Sequence, residues 1–143
     1  TIDKRLDVGV FQTNIFKEDQ SFKGIPTLEA TLKSDQPNFD ICIALSLVNE
    51  EGKNVQQFST GFLRVKNSRK NEESIYKVKM QPTNICLLRG TKLRLSISAA
   101  AYPAIGVNPG LSQKNSGNVG IDNKITTLNF NLEKTIMKIT PYF

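Results

Sequence analysis

Alternation with period two runs through this sequence from near its start to its end. Leu6, Val8 and Val10 occupy every second position of a first segment. Leu28, Ala30 and Leu32 alternate with Glu29, Thr31 and Lys33, as in a strand with one wet face. The longest clean run is Phe39, Ile41, Ile43, Leu45 and Leu47. Its intervening Cys42, Ala44 and Val48 are small or apolar, which predicts a central strand covered on both sides. Leu93, Leu95 and Ile97 alternate with Arg94, Ser96 and Ser98. Thr126, Leu128, Phe130 and Leu132 repeat the pattern, and Ile136 to Ile139 closes it.

Turn formers separate these runs. Ser34 to Asn38 is dense in them, and Asn49-Glu50-Glu51-Gly52 predicts a hairpin into a return strand over 55–65. Gly61 interrupts that strand, where a bulge or a close backbone approach is expected. Residues 75–80 alternate weakly up to Pro82, and 85–88 form a short apolar run. Residues 14–26 are expected to be a polar connection ending in Gly24-Ile25-Pro26, with one helical turn near 14–20. The glycine-rich stretch over 108–123 is long for an unstructured connection, so a functional or mobile loop is expected there. Eight or nine short strands without a convincing helical period predict an all-β sandwich or jelly roll.

Composition narrows the function. The 143 residues are the size of one domain, taken as a single β-sandwich over 1–143. With no leading Met, the chain reads as a piece of something larger. No apolar run approaches a membrane span, so no membrane partner is expected. Net charge is +6, but Lys66, Arg69 and Lys70 are followed at once by Glu72 and Glu73, the pattern of a solvated hairpin loop. A nucleic-acid face would need a basic stripe with stacking aromatics, which is not found. A third reading is that the positive charge meets an acidic partner domain. Cys42 and Cys86 sit in apolar runs, and a disulfide between them stays open. The absence of Asn-x-Ser/Thr leans away from a secreted eukaryotic origin, and a cytoplasmic location is favoured without being fixed by the sequence.

The chain holds no histidine. A Ser-His-Asp site needs imidazole to carry the serine proton, and Gly-x-Ser-x-Gly does not occur. Neither His nor paired Cys spacing offers zinc, and scattered acids show no Asp-x-Asp-x-Asp for calcium. No cofactor and no catalytic residue are assigned.

Three segments in order carry a resemblance. The first is Arg5-Leu6-Asp7-Val8 and Phe11-Gln12-Thr13, with Glu18-Asp19, Gly24-Ile25-Pro26 and Ser34-Asp35. The second is Asp40, Leu45, Asn49-Glu50-Glu51-Gly52 and Gly61-Phe62-Leu63-Arg64. The third is Gly90 and Lys92 leading into Leu93-Arg94-Leu95, Ile97-Ser98, Tyr102-Pro103 and Asn108-Pro109. Together they resemble the C-terminal domain of the cocaine esterase and X-prolyl dipeptidyl peptidase (CocE/NonD) family of serine hydrolases.

The resemblance implies a jelly roll similar to galactose-binding domains. It also implies an α/β-hydrolase domain of the same parent chain that carries the triad and cleaves peptides or esters by acyl transfer. The jelly roll would pack on that domain and shape its cleft. Contact residues expected on this basis are Phe11, Thr13, Arg64, Arg94, Tyr102, Pro103 and Asn108. Phe11 points opposite to Val8 and Val10, so an outer apolar patch and a second core layer both stand. Tyr102 and Pro103 either meet the partner or cap the sandwich, and Arg64 and Arg94 either form salt bridges or lie at the interface. The sequence departs from the family at Ala99-Ala100-Ala101 and Ala104, where relatives carry polar residues and an arginine. Alternatives are a free-standing carbohydrate-binding module, weakened by the lack of Trp, and a protein-interaction module. Homo-oligomerisation stays open.

Overall fold

The computed structural model describes residues 5–102, 104–110 and 123–142. Among them are nine strands: β1 (Val8–Gln12), β2 (Gln20–Ser34), β3 (Phe39–Asn49), β4 (Gln56–Val65), β5 (Ser74–Lys79), β6 (Thr83–Leu87), β7 (Thr91–Ser98), β8 (Leu128–Phe130) and β9 (Ile136–Pro141). Every pairing between them is antiparallel. One sheet has the order β1-β7-β3-β4; the other is built on β2, which pairs with β5, β6, β8 and β9.

A strand has only two edges, and the register shows how β2 shares them. Leu28 lies opposite both Val78 of β5 and Met137 of β9, and Gly24 lies opposite both Thr83 of β6 and Pro141 of β9. β5 and β6 therefore follow one another along one edge, with the Met80 amide donating to the Pro26 carbonyl between them. β8 and β9 follow one another along the other edge.

Alternation assembles the core as the sequence predicts. Leu28, Ala30 and Leu32 from one sheet meet Phe39, Ile41, Ile43 and Leu45 from the other, closed by Val78, Met80 and Ile97. The Tyr76 ring stands edge-on to Phe39 at 5.3 Å, a favoured aromatic arrangement. β3 is buried along nearly its whole length, as its small intervening residues imply. The Asn49–Gly52 turn closes with the Gly52 amide donating to the Asn49 carbonyl at 2.9 Å, and Gly52 adopts φ 75°. This is a two-sheet, all-β jelly-roll sandwich.

Several local expectations need correction. β1 begins at Val8, and Leu6 before it is fully exposed. No helical turn forms over 14–20. Instead the Phe16 amide donates to the Thr91 carbonyl and the Gly90 amide donates to the Phe16 carbonyl, so the segment's backbone is satisfied across the sheet rather than internally. β2 starts at Gln20, well inside the stretch read as a connection. Gly24 and Pro26 look like breakers, but a Cβ on Gly24 would lie 2.4 Å from the Thr140 carbonyl oxygen. The glycine thus lets β9 approach β2. Gly61 likewise marks a close approach, since its Cβ would fall 2.8 Å from the Lys79 carbonyl oxygen. The register shift lies elsewhere, at Leu45/Ser46, where Phe58 is the extra residue of β4.

Cys42 and Cys86 are both free. Pairing places Cys42 with Ala44 on the outside of the four-stranded sheet, and Cys86 opposite Ser21 on the outside of the other. The thickness of the sandwich, about 10 Å between sheets, keeps them apart. Pro103 and residues 111–122 lie outside the described residues, including most of the expected long loop.

Candidate functional site

The charged residues singled out from sequence fall at opposite ends of the four-stranded sheet. At one end, Asp40 opens β3 with its side chain on the outer face and only 3% exposed. Its register partner Arg64 donates to it twice, from Nε at 2.9 Å and Nη2 at 2.8 Å. Arg64 Nη2 also donates to the Gly106 carbonyl at 2.7 Å, and Asn108 Nδ2 donates to Asp40 Oδ1 at 2.8 Å. One buried carboxylate thus ties the loop after β7 to the sheet. The Arg64 guanidinium lies 5.5 Å from the Phe62 ring centre. The Asp40 carboxylate holds the Arg64 guanidinium above its ordinary value, mainly by hydrogen bonding. Burial, and then the Asp40 charge, push the neighbouring Cys42 thiol up to about 11, which makes it inert near neutral pH.

At the other end, Arg94 is 8% exposed and donates from Nη2 to the Gly52 carbonyl at 2.9 Å. With its amide turned to face the guanidinium, Gln12 accepts from Arg94 at 2.8 and 3.0 Å. Thr13 accepts from the Leu93 amide through Oγ1 and donates from its own amide to the Leu93 carbonyl, which extends the β1–β7 pairing. Arg64 therefore forms the salt bridge that sequence reasoning offered for it, with Asp40 as the partner. Arg94 fastens the 49–52 turn.

The third place is a cavity of about 620 Å³ between the β1–β7 side of one sheet and β8 of the other. Phe11 faces it together with Ile97, Leu128 and Phe130, and Asn108 reaches its rim. Phe11 does point opposite to Val8 and Val10, towards the second sheet, yet it stays partly exposed. Tyr102 projects from the loop at 71% exposure.

The structure brings Arg64 and Asn108 together around Asp40 and Asn108 to the same cavity as Phe11. Arg94 and Thr13 lie apart from both. Sequence reasoning noted Asp40 without assigning it a contact, and it missed Gln12. An aspartate inside an otherwise apolar strand, with an arginine on the returning strand, was the available signal for the first. Histidine is absent from the chain. No group of acidic, Cys or His side chains able to hold a metal occurs among the described residues.

Comparison with known proteins decides the assignment. The sequence profile of the family described as "X-Pro dipeptidyl-peptidase C-terminal non-catalytic domain" matches residues 1–134. The chain belongs to this family. No curated protein matches it in sequence. Among solved structures it is similar to an aminopeptidase from the marine sediment archaeon Thaumarchaeota archaeon, at TM-score 0.86 and 17% identity, covering 97% of this chain and 26% of that one. It is also similar to an α-amino acid ester hydrolase, at TM-score 0.87 and 17% identity, covering 96% of this chain and 26% of the other. A CocE/NonD family hydrolase from Staphylococcus aureus matches more loosely, at TM-score 0.57 and 15% identity, over 93% of this chain and 28% of that one. The X-Pro dipeptidyl-peptidase C-terminal domain thus spans about a quarter of the chains whose fold it shares. The family is described as a non-catalytic C-terminal domain, and the two similar structures are of longer chains named as an aminopeptidase and an ester hydrolase.

Proposed function

We propose that this domain serves a serine hydrolase that cleaves X-Pro peptides or esters by acyl transfer. The α/β-hydrolase domain of the same parent chain supplies the serine, aspartate and histidine, and the sandwich packs on it and shapes its cleft. The observation that carries this reading is the family match over 1–134 in a chain without histidine. Phe11, Thr13, Arg64, Arg94, Tyr102, Pro103 and Asn108 are the proposed contacts to the hydrolase domain. Support for Tyr102 is its exposure, and for Arg64 and Asn108 their hold on the loop that presents it.

The test is the reading frame around residues 1–143, followed by kinetics of the parent enzyme. An α/β-hydrolase region with a nucleophile elbow is expected in that frame. In the parent enzyme Tyr102→Ala should raise KM for dipeptide or ester substrates and leave the hydrolase fold intact. A frame without a hydrolase region would refute the reading.

A further inference from the structure

The two outer faces of the sandwich differ in chemistry. Side chains paired directly across antiparallel strands share a face, so the registers sort every strand residue to the inside or the outside. On the five-stranded sheet the outside carries Lys23, Lys33, Lys77, Lys79 and Lys138, all exposed, around a single Glu29. Glu29 is bonded to Lys138 at 2.7 Å and paired with Lys77 at 3.5 Å. This is a solvated face. Taking that many ammonium groups out of water would cost several kcal/mol for each one left unpaired.

The outside of the four-stranded sheet is the opposite case. Its centre is Val10, Ser96, Ser98, Cys42, Ala44 and Phe62, with no charge among them. The charges on this face stand at its ends: Asp40 and Arg64 bonded to one another, and Arg94 and Lys92 hydrogen-bonded to carbonyls of the 50–52 turn. Small side chains form the floor, while Val10 at 36% and Phe62 at 40% exposure stand above it on either side. A sheet face stripped of charge at its centre and polar at its rim is the composition of an interface core, and it contrasts with the alternation that a free antiparallel sheet shows.

We infer that this outer face of the β1-β7-β3-β4 sheet is the docking surface for the hydrolase region of the same chain. The inference rests on the function proposed above and adds which side of the sandwich makes the contact. Arg64 and Arg94 stand at the ends of this face, whereas Phe11 turns away from it, so any contact of Phe11 would be at the open edge beside the cavity. Three observations favour this occupant. The family match makes the domain the C-terminal part of chains about four times its length, so most of the polypeptide in its relatives lies outside it. β1, the first strand of a domain whose family is described as C-terminal, is the edge strand of this same sheet. Further, β1 carries neither lysine nor proline, the usual means of keeping an edge strand unpaired.

Thiol protection in the full parent chain tests this. With Cys86→Ser as background, cysteines are placed at Val10→Cys and Phe62→Cys on the uncharged face, and at Ile75→Cys and Ile136→Cys on the lysine face. All four native side chains are exposed in the domain, and circular dichroism checks that each variant is folded. Labelling with a maleimide should be at least about tenfold slower at positions 10 and 62 than at 75 and 136, because modification then requires the domains to separate. Equal rates at all four positions, or protection at 75 and 136 instead, overturn the inference while leaving the proposed hydrolase intact. Protection at 10 and 62 that disappears on dilution identifies a second copy as the occupant and also overturns it. A reading frame without a hydrolase region overturns both.

Discussion

Replacing Arg64 by methionine removes both guanidinium bonds to Asp40 and leaves a carboxylate at 3% exposure with Asn108 as its remaining side-chain donor. Breaking one partner of a buried pair costs about 3–5 kcal/mol in general, because the other charge stays buried. Here the Arg64 side chain keeps 21% exposure, so water already screens part of the pair and the expected loss falls to about 2–3 kcal/mol. Methionine retains most of the stem, so little of this comes from packing. For a chain of this size that corresponds to a fall in Tm of roughly 8–12 °C. Thermal and urea unfolding of Arg64→Met, Asp40→Asn and the double variant form a cycle. The double variant should lose clearly less than the sum of the singles, since it no longer buries an unpaired charge. Amide exchange at residues 106–110 should quicken in Arg64→Met, because Arg64 also holds the Gly106 carbonyl. An Arg64→Met loss below about 0.5 kcal/mol, the range of an ordinary surface substitution, would refute the reasoning.

Further expectations follow from single positions. Gly24→Ala forces a Cβ to within 2.4 Å of the Thr140 carbonyl oxygen and should cost about 2–3 kcal/mol by urea midpoint through a backbone shift. Gly90→Ala meets nothing within 4 Å at φ +82°, so only the left-handed backbone resists, at about 1–2 kcal/mol; a larger loss there than at Gly24 would contradict the steric argument. Cys42 keeps its proton to about 11 against an ordinary 9.0. The stability this contributes is complete below the unfolded value and is lost as pH rises through the folded one. The difference in urea midpoint between the native domain and Cys42→Ala should therefore change between those two pH values and stay flat below them. Glu29 is held below the usual carboxylate range, first by the hydrogen bond from Lys138 and then by its charge and by Lys77. Its contribution is present above its unfolded value near 4.5 and is lost as pH falls through the lower folded one. Glu29→Gln should flatten the acid limb of the stability profile slightly, and a steeper limb would be the wrong sign.

Legibility varied along the chain with the range of the interaction involved. The core of β3 was readable because its burial on both sides is written in its own residues. The helical turn expected over 14–20 failed because the backbone partners of that segment lie more than seventy residues away, at Gly90 and Thr91. The first half of β2 was hidden for a related reason. Gly24 and Pro26 read as breakers until β9 and Met80 are in place against them. The candidate site shows the same division. Tyr102 and Asn108 stand out in sequence, but that Arg64 and Asn108 share one carboxylate depends on the loop folding back over β3.

Sequence by itself determined the all-β class, the family and the absence of histidine chemistry, because side-chain alternation and composition are local properties that every residue carries. Which strands neighbour one another, where Cys42 and Cys86 end up and how charge divides between the two outer faces were decided only by tertiary structure. Those are properties of register between distant segments, and a one-residue slip would exchange the faces without altering the composition of any strand.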